Sequence, residues 1–280
     1  MKIKLGVIGY GGMGKWHVEN APRAGVEIAA VCDNAPVKQQ EAIDAGLKLY
    51  KSADELLADP EVNTVILTVP NYLYKDMCIK EKEKKKNVIT EKPAAMTVAE
   101  LDEMDKACKD AGVFFTSHQN RRWDKDMLIV KKAYDDNMLG NIFTIESKLH
   151  SGNGYMHEWH LYKKYGGGMI YDWGVHLIDQ ILFMMPDAKI KSVYADIKNV
   201  LHDEVDDYFK IILKMDNGVT AHIELSTYIL KYQPRWLAAG DKGTMVINTF
   251  GCDGNIYRTG KMLEKLPSQI VETEAGPTRQ

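Results

Sequence analysis

The chain has 280 residues, 45% hydrophobic and 27% charged, a soluble balance with enough apolar material for two cores. Lys and Arg total 36 against 39 Asp and Glu, a net charge of −3, so no global field favours nucleic acid or an anionic membrane as partner. The four cysteines, Cys32, Cys78, Cys108 and Cys252, are scattered with no Cys-x-x-Cys pair, which argues against disulfides and thiolate metal sites; no apolar run has the length of a signal peptide or membrane span, and a cytoplasmic location is expected.

In chain order, residues 3–8 are a β-rich apolar run ended by glycines, 13–23 a helix, and 26–32 a second strand closed by Asp33-Asn34. Helices are predicted over 37–45 and 52–58, the second with Ser52 as N-cap. The apolar run 64–69 (TVILTV) reads as a strand buried on both faces of a parallel sheet. A helix at 73–86, a strand at 87–90, a helix at 98–111 and a strand at 113–117 follow, and the lysine-rich run 80–86 reads as a solvated helix face. Strands separated by helices of this length imply βαβ crossovers. An α/β domain with a doubly wound parallel sheet is assigned to residues 1–118.

The rhythm then changes. A helix at 124–137 and a strand at 142–150 precede a Gly-, Tyr- and His-rich loop at 151–168 and an apolar helix at 169–184, stopped by Pro186. Strands at 190–197, 207–215, 219–227, 234–239 and 243–248 come with no helix between them, and Asp216-Asn217-Gly218 is a hairpin signal. Residues 119–280 are therefore expected to form a C-terminal α+β domain with a mostly antiparallel open sheet. Its uncovered face is predicted to make a homodimer or homotetramer. Val193, Ile211, Leu213, Ile223 and Leu225 can serve either that face or the helix-facing core.

Gly9-Tyr10-Gly11-Gly12-Met13-Gly14 fits GxGxxG between a strand and a helix, and Asp33 ends the next strand. That combination is the dinucleotide fingerprint. Gly9 allows the tight turn, Gly11 the approach of a pyrophosphate, and Gly14 close packing of helix on strand. The helix N-terminus offers N–H groups to the phosphates. Asp33 is suited to the adenosine ribose hydroxyls, and no arginine follows it, so NAD is favoured over NADP.

Three later segments carry chemistry. Thr68-Val69-Pro70-Asn71 and Glu91-Lys92-Pro93 end successive strands, where open α/β sheets place ligands. In the Gly166–Asp179 stretch, Asp172 and His176 are four apart and are expected to share a helix face. Upstream, His150, Asn153, Tyr155, His157, Trp159, His160 and Tyr162 mix aromatic faces with hydrogen-bonding groups, as a polyol or sugar requires. His157-x-x-His160 has no third ligand in register, so no metal is expected.

The ordered set GxGxxG with its acid, TVPN, EKP and GGG-x-x-x-D-x-G-x-H-x-x-D resembles the glucose–fructose oxidoreductase / inositol dehydrogenase (Gfo/Idh/MocA) family from residue 1 to about 250. The resemblance implies a Rossmann domain followed by an α/β domain whose open sheet mediates oligomerisation. It implies Lys92, Asp172 and His176 as the catalytic set: His176 takes the hydroxyl proton, Asp172 orients the imidazole or the substrate, and Lys92 binds the reacting oxygen. Cofactor contacts are expected from Thr68, Val69, Pro70, Asn71, Glu91, Lys92 and Asn120, the last in a segment resembling the family's NxR. Substrate contacts are expected from Lys92, Arg122, His157, Trp159, Asp172 and His176. A group titrating between about pH 5 and 8 is expected to vanish in His176→Ala. Tyr74 stands where members often carry histidine, and members usually run longer than a chain ending at Gln280, which leaves open whether a C-terminal segment is missing.

The implied activity is NAD-dependent hydride transfer between the nicotinamide and a secondary alcohol of a sugar, cyclitol or related polyol. Two alternatives stay open: a glycosidase-like enzyme using transient NAD oxidation of a sugar, and a dinucleotide-sensing regulator, which would lack the catalytic set.

Overall fold

Short apolar runs with no solvated face make the first sheet. In the computed structural model, which describes residues 2–258, 270–273 and 276–279, β1 (Lys4–Ile8), β2 (Glu27–Cys32), β3 (Leu49–Tyr50), β4 (Thr64–Leu67), β5 (Asn87–Thr90) and β6 (Phe115–Ser117) pair in parallel. Their order is β3-β2-β1-β4-β5-β6. All four residues of β4 are buried, as a strand covered on both faces requires. The connecting helices are α1 (Gly12–Asn20), α2 (Pro36–Asp44), α3 (Ala53–Ala58), α4 (Tyr74–Glu83) and α5 (Val98–Ala111). Strand order reverses at β1 and β4, so a ligand crevice belongs beyond their carboxyl ends. One residue of the lysine-rich run departs from expectation: Lys86 is buried, and its ammonium donates to the carbonyls of Asp59 (2.8 Å) and Val62 (2.5 Å).

The second sheet is built by α6 (Lys125–Asp135), β7 (Ile142–His150), α7 (Val175–Met184), β8 (Ile190–Lys198), β9 (Tyr208–Met215), β10 (Thr220–Ser226), β11 (Trp236–Gly240), β12 (Gly243–Ile247) and β13 (Gly254–Tyr257). Its strand order is β13-β12-β11-β7-β10-β9-β8. β7 and β10 run parallel, and the other neighbouring pairs are antiparallel. A separate hairpin pairs β14 (Ile270–Thr273) with β15 (Gly276–Arg279).

Period-two alternation decides which face is core. Met127 and Val130 of α6 and Leu177 and Ile181 of α7 pack on Ile145, Ile211, Leu213, Ile223, Leu225 and Trp236. Ile211, Leu213, Ile223 and Leu225 therefore belong to the helix-facing core. Val193, opposite Leu213, shares that face but is 61% exposed on the edge strand. The uncovered face carries a mixed row instead, Tyr194–Ile212–His222–Glu146–Leu237.

A buried polar knot ties these elements together. The Arg235 guanidinium donates to Ser147 Oγ (2.7 Å) and Gln180 Oε1 (2.9 Å), and its Nε lies 3.2 Å from Asp126 Oδ2, which also accepts from Trp236 Nε1 (2.8 Å). Gln180 Nε2 in turn donates to the Arg121 carbonyl (2.8 Å). Burial pulls the Arg235 guanidinium down to about 10. Removing one partner of a buried pair strands the other's charge. Asp126→Ala is expected to lower the free energy of unfolding by about 3–5 kcal/mol, read by denaturant titration.

Candidate active site

The glycine turn leaves β1 and enters α1. A Cβ on Gly14 would collide with the Gly9 carbonyl oxygen, so only glycine lets α1 pack this closely. Thr68 Oγ1 donates to the Gly9 carbonyl (2.5 Å) and the Ile8 carbonyl (3.1 Å), tying the end of β4 to the turn. Asp33 accepts from the Tyr10 N–H (2.7 Å) and the Ala35 N–H (2.8 Å), which fixes its carboxylate at the end of β2. Cβ positions on Gly11 and Gly12 meet nothing within 4 Å, and the N-terminus of α1 has no side-chain cap. Open space over uncapped N–H groups beside a fixed carboxylate fits a dinucleotide. The buried Asn71 Nδ2 at the same edge has no hydrogen-bond partner, a further donor suited to a ligand.

A cleft of about 890 Å³ opens there between the two sheets. Gly11, Gly12 and Met13 border it with Thr68, Val69, Pro70 and Asn71. Glu91, Lys92 and Asn120 reach it from the ends of β5 and β6, and His157, Trp159, Asp172 and His176 from the second unit. Gly9, Tyr10, Gly14 and Asp33 lie in the turn beside it.

Lys92 and Asp172 meet across this cleft. The ammonium donates to Asp172 Oδ1 (2.5 Å) and to the Asp172 carbonyl (2.9 Å). His160 Nε2 lies 3.5 Å from the same Oδ1. Burial pushes the Asp172 carboxyl up, but His160 and the Lys92 charge outweigh it and hold the group well below the usual carboxylate range. Gly168, at φ +99°, places the segment: a Cβ there would strike Asp206, whose carboxylate accepts the Ile170 N–H (2.8 Å).

The helix expected over 169–184 begins as a π-turn, Ile170–Gly174, before α7. Such wider turns change the facing of side chains. Asp172 and His176 share the cleft, but the carboxylate bonds Lys92 while the imidazole bonds elsewhere. His176 Nδ1 lies 3.2 Å from Gln119 Oε1. An amide oxygen only accepts, so Nδ1 carries the hydrogen and Nε2 keeps the lone pair. Burial, then the Lys92 and Arg121 cations, pull His176 down to about 3.

Arg122 stands differently from expectation. It forms a bidentate pair with Asp179 (2.7 and 2.6 Å) over the Phe183 ring and does not border the cleft. Arg121 does, with its guanidinium 4.5 Å from the Trp173 ring centre. Glu91 is buried. Burial pushes its carboxyl up, but hydrogen bonds from His118 and His17 prevail and bring it down to about 2. Sequence reasoning missed Gln119, Arg121, His17 and His118. Gln119 had one positional signal, standing just past β6 where ligands gather.

Two known family descriptions together match most of residues 3–246. The oxidoreductase family with NAD-binding Rossmann fold matches residues 3–119, and the Gfo/Idh/MocA C-terminal domain matches residues 127–246. The chain belongs to the Gfo/Idh/MocA oxidoreductase family. A Gfo/Idh/MocA-like fold is shared with a solved NAD-binding protein from Listeria innocua, at TM-score 0.90 and 38% identity over 100% of this chain and 81% of that one. An uncharacterized oxidoreductase of Schizosaccharomyces pombe is 33% identical over 188 residues, 64% of this chain and 50% of that protein. The scyllo-inositol 2-dehydrogenase (NADP(+)) IolW of Bacillus subtilis is 30% identical over 274 residues, 94% of this chain and 73% of that enzyme. The chain thus spans only half the length of the fission-yeast relative. Among the described residues, no helix is long and apolar enough to cross a membrane.

The buried imidazole revises the expected titration. With its value near 3 against an ordinary 6.5, His176 stays neutral from pH 5 to 8 in the protein without substrate. The unfolded chain binds the proton first, so the stability contributed here is complete above about pH 6.5 and is lost as pH falls toward 3. Imidazole resonances assigned by comparison with His176→Ala are expected to be flat from pH 8 to 5.

Proposed function

We propose that this chain transfers a hydride between a nicotinamide dinucleotide and a secondary alcohol or ketone on a small sugar, cyclitol or related polyol. One observation carries the reading: Lys92, Asp172 and a neutral His176 border the same cleft as the open glycine turn. The dinucleotide, when bound, supplies the two-electron acceptor or donor. The α1 N-terminus and the glycine turn hold its phosphates, and Asp33 receives ribose hydroxyls.

Lys92 donates to the reacting oxygen and stabilises negative charge developing there. Asp172 acts as a positioning residue for Lys92, holding the ammonium in the cleft through its carboxylate and carbonyl. His176 Nε2 receives the hydroxyl proton, with Gln119 fixing the tautomer that makes this possible. Two cations nearby make the imidazolium costly, so the proton passes on or returns with the reverse reaction. Trp159, stacked on His160 at 3.7 Å between ring centres, offers an apolar face to a polyol's C–H surface.

The activity is tested by presenting polyols and sugars with NAD to the purified protein and following NADH absorbance. Steady NADH accumulation supports the reading, whereas bond cleavage of a glycoside without it would favour transient oxidation. On a turned-over substrate, His176→Ala and Lys92→Ala are each expected to lose ~10²–10⁴-fold in turnover. His176→Ala should keep its NAD affinity. Gln119→Leu is expected to lower kcat with little change in KM, since it frees the tautomer without touching substrate. NAD is expected to bind more tightly than NADP because the Asp33 carboxylate opposes a 2′-phosphate, although the Bacillus relative is NADP-linked by name. Calorimetry with both dinucleotides checks this, and Asp33→Ala should narrow the gap. The uncovered sheet face supports a homodimer or homotetramer, which a monomer mass by light scattering would refute.

A further inference from the structure

At one border of the cleft, which Glu91 itself lines, three side chains from three elements converge without any part in the steps above. His17 projects from α1, Glu91 from the end of β5, and His118 from just past β6. His17 Nε2 lies 2.6 Å from Glu91 Oε1, and His118 Nδ1 lies 3.0 Å from the same oxygen. All three donor atoms fall within 4.8 Å of one another. His17 and Glu91 are buried, while the His118 side chain keeps 26% of its surface exposed. The Trp16 ring lies against both imidazoles, at 5.1 Å from His17 and 5.8 Å from His118 between centres.

The geometry points to a binding site for a divalent transition metal of the zinc class, held by His17 Nε2, Glu91 Oε1 and His118 Nδ1. Two imidazole nitrogens and one carboxylate oxygen are a recurrent three-ligand zinc set, with the fourth tetrahedral position left to water. The exposed edge of His118 gives that water its route. Donors about 2.1 Å from a tetrahedral ion stand roughly 3.4 Å apart. The present separations of 2.6 and 3.0 Å are shorter because hydrogens now lie between the atoms. Replacing those hydrogens by an ion requires the two histidine–carboxylate pairs to open by under ~1 Å. Each imidazole then carries its proton on the other ring nitrogen, so neutral histidines serve. Glu91 Oε1 is the shared partner of both imidazoles, so one carboxylate oxygen already faces both nitrogen donors. Two nitrogen donors of three disfavour magnesium and calcium, which prefer all-oxygen sites. Glu91 Oε2 also accepts the Lys92 N–H (3.3 Å), which holds the carboxylate from its other side. This site is independent of the hydride-transfer reading and stands or falls by metal binding alone.

The test uses the full chain, stripped with a chelator and then titrated with Zn²⁺ by calorimetry and with Co²⁺ by absorption. One equivalent of Zn²⁺ is expected, with micromolar or tighter affinity, together with the visible d–d bands of four-coordinate Co²⁺. Co²⁺ should also quench Trp16 fluorescence, assigned by comparison with Trp16→Phe. His17→Gln and His118→Gln should each weaken binding by at least ~10²-fold, the upper end of the loss seen when only an outer-shell partner is removed. His202→Gln, remote from the cluster, should bind as the parent does. The unmutated chain tests the idea even where a variant fails to fold. Absence of both the zinc heat and the cobalt bands overturns the proposal. So does binding that survives unchanged in folded His17→Gln and His118→Gln, because the ion then sits elsewhere.

Discussion

A single lysine spans the crevice on which everything else converges. Lys92 stands just past the carboxyl end of β5 in the first sheet, yet its ammonium rests on the carboxylate and carbonyl of Asp172 in the second unit. The pair is mostly shielded, with side-chain exposures of 22% and 13%, so the attraction is screened far less than at a surface. Partial burial also means that neither charge is tolerable without the other. The contact therefore sets the distance between the glycine turn and the loop bearing Trp159 and His160. It also decides what the site can accept, since any oxygen reaching Lys92 competes with Asp172 for its hydrogens.

The same lysine shapes the imidazole beyond its reach. His176 is kept neutral by burial and by the positive charges of Lys92 and Arg121. A neutral ring with Nδ1 engaged by Gln119 is a ready proton acceptor, and one that gives its proton back easily. Arg121 is itself held by stacking on Trp173 and by its carbonyl, which accepts from Gln180. The buried Arg235 knot thus reaches the active cleft through one amide side chain. Core packing and site electrostatics are here properties of the same few residues.

Much of this was legible in the sequence where local chemistry decides structure. Gly9 and Gly14 occupy the places their pattern requires, because a φ of +98° at Gly9 and the Gly9 carbonyl against Gly14 disfavour any side chain there. The helix over 98–111 has its expected ends because Thr97 caps Glu100 N–H and Gly112 takes a left-handed conformation at φ +66°. The rest was hidden for identifiable reasons. A π-turn over Ile170–Gly174 has no mark in composition, so the α-helix proper starts only at Val175, although Asp172 and His176 still border one cleft. Arg121 and Arg122 are adjacent and chemically equal; which faces the cleft is decided by Asp179, 57 residues away. Alternation in β7 and β10 marks a buried face but carries no direction, so their parallel pairing could not be read.

That pairing governs the order in which the chain can be assembled. The first sheet is closed once residue 117 is made, and its contacts are bridged by single helices. β7 must wait, because both of its neighbours, β10 and β11, are synthesised more than seventy residues later. For that interval it is an amphipathic strand with two open edges, able to pair with stray strands. Its aggregation risk is therefore concentrated in the nascent chain, between emergence of residue 150 and residue 240.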